Sequence, residues 1–68
     1  MRTLEEVNAL FQYDHLPADL QSLSQNFHSL AMHLLDNQMA SPARTKALWK
    51  LWEAKNLAIW QAVQERPT

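Results

Sequence analysis

The chain has 68 residues, with no glycine, no cysteine, three tryptophans and a formal net charge of -1 at pH 7. The absence of cysteine excludes disulfides and thiolate metal sites, and the absence of glycine excludes glycine-rich phosphate loops. Helix-forming residues such as Ala, Leu, Gln, Glu and Lys dominate, so the sequence predicts one all-α domain over residues 1–68. Because so small a domain needs extra stabilisation, self-association is the source that remains.

The first predicted helix opens with a capping box, in which Glu6 follows the cap residue Thr3 at the required spacing. This helix runs to about Leu10, and the acidic residues inside its apolar stretch do not fit a secretory signal. No apolar run approaches the roughly 18 residues of a membrane-spanning helix. The sequence therefore predicts a cytoplasmic protein without membrane contact.

A linker from Phe11 to Pro17 follows, and aromatic rings alternate with polar residues along it at Phe11, Tyr13 and His15. In an extended backbone such rings present faces on which a nucleobase stacks. The alternative is that the rings pin the linker onto the helices. The sequence alone leaves both interpretations open.

The second predicted helix starts at Pro17, which suits a first helical turn, and runs to about Asn37. Its apolar residues recur at helical spacing and form one stripe, made up of Leu20, Leu23, Phe27, Leu30, Ala31, Leu34 and Leu35. A stripe of this kind indicates a helix that packs against a neighbour along its whole length.

The third predicted helix begins after the N-cap Ser41 and a first-turn proline, and ends at about Glu65, ahead of Pro67. The elements together predict a short N-terminal helix laid against an antiparallel hairpin of two long helices. The third helix is apolar around more than half of its circumference, and Trp49 and Trp60 widen that arc. Because one neighbouring helix covers roughly a 100° stripe, the excess apolar surface predicts a homo-oligomer.

Charge is divided between the two halves of the chain. Residues 1–40 contain one basic and five acidic residues, whereas residues 41–68 contain five basic and two acidic residues, which gives net charges of −4 and +3. This asymmetry favours antiparallel docking, within one protomer or between two.

Two of the basic residues, Arg44 and Lys55, lie within the apolar arc of the third helix. A buried ammonium group needs a counter-charge. Lys55 therefore either reaches water or an acidic residue of the first half, or it faces an anionic ligand between protomers; the acidic candidates are Asp14, Asp19 and Asp36. Arg44 lies in a first turn, where a cation opposes the helix dipole, which favours a bound anion held there with the amides beside Ser41 and Thr45.

No pattern typical of a catalytic or metal site occurs. His28 and His33 are five residues apart and fall on different faces of the second helix, so they do not share a metal ion. The serines lack a nucleophile motif. The sequence therefore predicts a protein that is not an enzyme and has no cofactor. The negative net charge and short basic patch argue against binding to long nucleic acids.

Several blocks of the chain resemble a family of short phage and prophage proteins, namely Tyr13-Asp14-His15-Leu16-Pro17, Leu30-Ala31, Ser41-Pro42-Ala43-Arg44-Thr45-Lys46-Ala47-Leu48 and Lys50-Leu51-Trp52-Glu53-Ala54-Lys55. These are the anti-CBASS sponge proteins, which defeat cyclic-nucleotide immunity. The resemblance covers about residues 10–66, and its most specific block begins at Arg44.

The resemblance implies a helical homohexamer in the host cytoplasm that binds cyclic di- or trinucleotides between protomers and sequesters them without catalysis. It implies that Tyr13, or next His15, stacks on a base, and that Arg44, Thr45 and Lys55 contact the ligand. Such sponges use a lysine in the second helix, and this chain has no Lys or Arg there, which shifts the phosphate contact to the third helix of a neighbour.

The residues themselves also support an alternative function. The Trp-rich face of the third helix is typical of a surface that binds a protein partner. In this interpretation the chain is a small oligomeric module that binds and inhibits a host protein.

Overall fold

The computed structural model describes residues 3–65, which form three α-helices. Helix α1 spans Leu4–Leu10, α2 spans Ala18–Asn37 and α3 spans Pro42–Gln64. The short connection between α2 and α3 makes them an antiparallel hairpin, and α1 packs against α2. The all-α fold class and the three predicted helices are confirmed, with bounds within about one residue; Pro67 lies outside the described residues.

Side-chain caps determine where α1 and α3 begin. The Thr3 hydroxyl accepts a hydrogen bond from the Glu6 backbone N–H at 3.1 Å, and the Ser41 hydroxyl accepts one from the Arg44 N–H at 3.0 Å. Each of these bonds satisfies an amide that has no partner inside its helix. Helix α2 begins differently, because Pro17 is its N-cap and offers no side-chain acceptor.

The core is small and is built from all three helices. Its fully buried hydrophobic residues are Val7, Phe11, Ala31 and Leu48. Phe11 comes from the predicted linker, so this ring does pin the linker onto the helices. Leu30, which was predicted to lie in the apolar stripe of α2, is 47% exposed, whereas Ser24 is fully buried. The difference arises because the positions of α1 and α3 on α2, and not the apolar stripe alone, decide which side of α2 is buried.

The C-terminal ends of α1 and α2 lack the usual local caps. Both C-cap residues, Phe11 and Gln38, have negative φ angles, and no residue in the range 3–65 has a positive φ. A glycine cap in the left-handed conformation is therefore absent from this range. Neither helix carries a basic residue in its last turn. Their terminal carbonyl groups are therefore open to water or to donors from elsewhere in the fold.

Candidate functional site

Arg44 of α3 caps the C-terminal end of α2. It is buried, and its Nη1 donates hydrogen bonds to the carbonyl oxygens of Leu35 at 3.2 Å and Gln38 at 2.9 Å. The guanidinium thus satisfies carbonyl groups at the end of α2 and places positive charge at the negative end of its dipole. Its Nε is buried without a hydrogen-bond partner among residues 3–65. Arg44 is therefore a structural cation in the protomer.

Lys55 of α3 caps the C-terminal end of α1 in the same way. Its Nζ donates to the carbonyl oxygen of Leu10 at 2.6 Å and lies 5.6 Å from the centroid of the Phe11 ring. The separation fits a cation–π contact. This backbone partner is a third possibility beside the acidic residue and the ligand that the sequence left open. Helix α3 consequently caps both of the helices that precede it.

The burial of Lys55 leads to a prediction about the pH dependence of stability. Burial lowers the pKa of its ammonium group from 10.5. Between the lowered pKa and 10.5 the unfolded chain holds more protons than the folded one, so this group makes the free energy of unfolding rise with pH in that interval. Urea unfolding of wild type and Lys55→Met, from about pH 8 to about pH 10, should show a steeper rise for wild type.

The matched control for this prediction is Lys46→Met, because Lys46 is an exposed lysine of the same helix. Its loss should leave the pH dependence of wild type unchanged, since this side chain makes no buried contact. All measurements use one protein concentration, so that any self-association contributes equally. Identical pH dependence in wild type and Lys55→Met would contradict the assignment.

A cleft of about 760 Å³ lies at the N-terminal end of α3. We call it the α3 cleft, and its lining comprises Ala40, Ser41, Pro42, Arg44, Thr45, Lys46, Trp49 and Lys50. The lining of this cleft therefore includes three cations and one indole ring. The Lys50 ammonium lies 3.8 Å from a Glu53 oxygen, and both side chains are exposed, so this ion pair contributes little and leaves Lys50 able to meet an anion.

The sequence predicted that backbone amides at the start of α3 help to hold an anion, but two of these amides have other partners. The backbone N–H of Arg44 donates to the Ser41 hydroxyl, and that of Thr45 donates to the Ser41 carbonyl oxygen at 3.1 Å. These amides are engaged within the helix. The donors that remain suited to an anion are the side chains of Lys46 and Lys50, which are exposed.

A second cleft, of about 260 Å³, lies between the linker, α1 and α2. We call it the Tyr13 cleft, and its lining comprises Asn8, Gln12, Tyr13, Asp14 and His28. The Tyr13 and His28 rings meet edge to face, with centroids 5.4 Å apart and planes at 73°. The linker is not extended throughout, because the Leu16 N–H donates to the Tyr13 carbonyl oxygen at 3.1 Å and closes a turn.

The predicted site residues thus fall into separate places within one protomer. Arg44 and Thr45 share the α3 cleft, whereas Tyr13 lines the other cleft and is half-buried. His15 lies exposed in the linker turn and lines neither of the two clefts. Lys55 is buried against the end of α1. The structure brings only Arg44 and Thr45 together.

Sequence reasoning missed residues in both clefts. Lys46, Trp49 and Lys50 recur at helical spacing beside Thr45, so helical periodicity offered a signal that one face of α3 combines cations with an indole. For Asn8 and His28 no such signal existed. They are 20 residues apart in sequence and meet only in the folded chain.

A run of large hydrophobic side chains along the outer side of α3 stays exposed. We call it the Trp face, and it consists of Trp49, Leu57, Trp60 and Val63, which are 40%, 68%, 62% and 44% exposed. Trp49 belongs both to this face and to the α3 cleft, and its ring packs edge to face on Trp52 at 5.6 Å. The excess apolar surface expected of the third helix is present.

Residues 3–65 contain neither a metal-binding cluster nor a helix suited to crossing a membrane. In the range 3–65 no group of three or more His, Asp or Glu side chains is placed to hold a metal ion. No helix in that range combines the length and the apolar character that crossing a membrane requires.

Comparisons of the chain with known proteins found no match. No family model matches it, and no curated protein or solved structure matches it either.

Proposed function

We propose that this protein assembles with copies of itself and binds cyclic oligonucleotides between protomers without altering them, so that it sequesters a second messenger. The observation that carries this proposal is the α3 cleft, where Lys46, Lys50 and Trp49 surround about 760 Å³. A cyclic oligonucleotide presents phosphates and bases on one small ring. Lysine ammonium groups suit the phosphates, and an indole face suits a base.

The roles of the cations in this cleft differ. Arg44 is committed to the carbonyl oxygens of Leu35 and Gln38, so it contributes positive charge from behind the cleft. Lys46 and Lys50 are exposed and reach a ligand directly. Trp49 then provides an aromatic surface, next to Thr45 in the lining of the cleft. Arg44 therefore stabilises the fold, while the exposed lysines bind phosphate in place of water.

Self-association fits the shape of the α3 cleft. All of its lining residues belong to the segment 40–50, which is one helix end and the turn before it. A site made from so short a segment has a wall on one side only, and a second protomer supplies another. The Trp face begins in the same cleft at Trp49. Apolar contact along that face would hold two copies together at the ligand.

A second candidate function rests on the exposed part of the Trp face beyond the cleft. Leu57, Trp60 and Val63 form an apolar surface of the kind that binds a protein partner. In this alternative the chain docks a host protein and inhibits it. The two functions differ in what they require of the lysines, because only nucleotide binding depends on Lys46 and Lys50.

Titration calorimetry with a panel of cyclic di- and trinucleotides tests the proposal. Binding of at least one member is expected, with the ligand recovered intact by chromatography. Lys46→Gln should weaken binding at least about tenfold, because a hydrogen bond to a charged group contributes about 1.5–3 kcal/mol. The control Lys46→Arg should retain most of the affinity. No heat and no thermal shift with any member of the panel would reject the proposal.

A further inference from the structure

The exposed side of α3 carries a row of side chains at the spacing with which two helices pack along their length. The positions follow one another at intervals of three and four residues in turn, and every one of them is exposed: Lys46, Trp49, Glu53, Asn56, Trp60 and Val63. We call this set the α3 seam, and it includes three members of the Trp face. Alternating intervals of three and four are the heptad pattern of paired helices. The buried residues of α3, which are Arg44, Leu48 and Lys55, lie on a different side of the helix.

The α3 seam has the same spacing in both directions along the helix. Its intervals are three, four, three, four and three residues, so a second α3 turned end over end meets all of its positions at once. Trp49 then faces the partner's Trp60, Lys46 faces the partner's Val63, and Glu53 faces the partner's Asn56. In a twofold-symmetric pair each of these contacts occurs twice. A second copy of this chain therefore matches the whole seam.

The chemistry of the residues suits these contacts. Trp49 and Trp60, which are 40% and 62% exposed in the protomer, become facing aromatic layers that remove apolar area from water. At the centre, the Glu53 carboxylate keeps the Lys50 ammonium at 3.8 Å and accepts a hydrogen bond from the amide of the partner's Asn56. Neither central polar group is then left without a partner. A polar layer of this kind fixes the register of two packed helices.

Charge distinguishes the antiparallel arrangement from a parallel one. In a parallel pair each position of the seam meets its own copy, which sets Lys46 against Lys46 and Glu53 against Glu53. Like charges at facing positions of an interface are destabilising. Sliding the antiparallel pair by one heptad is also unfavourable, because it sets Trp49 against the partner's Glu53 and leaves Trp60 beyond the end of the other seam. The antiparallel pair in full register avoids both faults.

We propose that α3 pairs antiparallel with the α3 of a second copy through the α3 seam, so that the partner's Trp60 lies opposite Trp49 and forms a second wall of the α3 cleft. The residues that line this cleft come from the segment 40–50 of one chain, and Trp49 belongs both to that lining and to the seam. The pair then has one cleft at each end. This inference rests on the self-association in the proposed function, and it adds the orientation, the register and a residue that the partner contributes to the site.

Distances between spin labels test the orientation. The chain has no cysteine, so Ala43→Cys and Ala54→Cys each accept one nitroxide label, at exposed positions about three turns apart on one side of α3. In the antiparallel pair the two Ala43→Cys labels are displaced by about 35 Å along the helix axes, whereas the two labels of the matched control Ala54→Cys lie almost level. Double electron–electron resonance should give a shortest distance that is longer by at least about 10 Å for Ala43→Cys.

A mixture of two labelled chains provides a second measurement. Labelled Ala43→Cys and labelled Gln64→Cys, refolded together from urea, should show a short distance that neither shows alone, because opposite ends of α3 meet in the antiparallel pair. Equal distances for Ala43→Cys and Ala54→Cys, or a mixture without the new short distance, would overturn this inference and leave self-association standing. A wild-type chain of single-protomer mass at every concentration would overturn this inference together with the assembly in the proposed function.

Discussion

Replacing Arg44 with alanine is expected to lower the free energy of unfolding by about 2–4 kcal/mol, in the absence of any nucleotide. The substitution removes a buried guanidinium that bonds to the carbonyl oxygens of Leu35 and Gln38. Hydrogen bonds to charged groups contribute about 1.5–3 kcal/mol each, and two such bonds are lost here. Because so small a domain has only about 3–5 kcal/mol of core stabilisation, we expect the variant to lose most of its stability.

Urea unfolding followed by circular dichroism measures this effect at one protein concentration. Lys46→Ala is the matched control, because it removes an exposed cation two residues away and should change stability by less than about 0.5 kcal/mol. Arg44→Lys should fall between the two, since an ammonium lacks the planar fork of donors. An unfolding midpoint for Arg44→Ala equal to that of wild type would contradict the capping role.

Trp60→Glu is expected to dissociate the proposed assembly into single protomers of 7.9 kDa. Trp60 is 62% exposed in the protomer, beside Leu57 and Val63 on the Trp face. Burying a large apolar side chain contributes about 1.5–3 kcal/mol. In a twofold-symmetric interface each protomer buries its own Trp60, so this contribution occurs twice. A carboxylate at the same place would have to be desolvated without a partner. The association constant should therefore fall by at least about a hundredfold.

Light scattering at several protein concentrations measures the mass. Ala54→Glu is the control, because it introduces the same charge at an exposed position of α3 outside the Trp face, and it should keep the mass of wild type. Circular dichroism should show equal helix content in both variants. A wild-type chain of single-protomer mass at every concentration, or a Trp60→Glu variant that stays assembled, would contradict the interface.

Together the two variants separate the stability of the protomer from the stability of the assembly. Arg44 acts inside one chain, on carbonyl groups of α2, whereas Trp60 points away from the core. Loss of nucleotide binding in Arg44→Ala would therefore not identify a ligand contact, because the α3 cleft itself depends on that residue. Lys46 is the better probe, since it is exposed and lies outside the core cluster.

The sequence by itself determined the helices. Thr3 and Ser41 fix the starts of α1 and α3 through hydrogen bonds that span three residues. Helical periodicity indicates much of the buried side of α2, although not at Ser24 or Leu30. It also determined that α3 carries more apolar surface than one neighbour covers, and that Arg44 and Lys55 lie within that surface. These are local properties, because caps and helical spacing act within one or two turns.

Only the tertiary structure determined which residues far apart in the sequence contact each other. Lys55 reaches the carbonyl oxygen of Leu10 across 45 positions of sequence, and His28 reaches Asn8 across 20. Nothing local predicts either partner, since each depends on the angle at which one helix crosses another. A chain without glycine ends α1 and α2 with no left-handed cap, and α3 instead provides the cations that satisfy their terminal carbonyl groups. The fold thereby buries Arg44 and Lys55 and leaves Lys46 and Lys50 exposed.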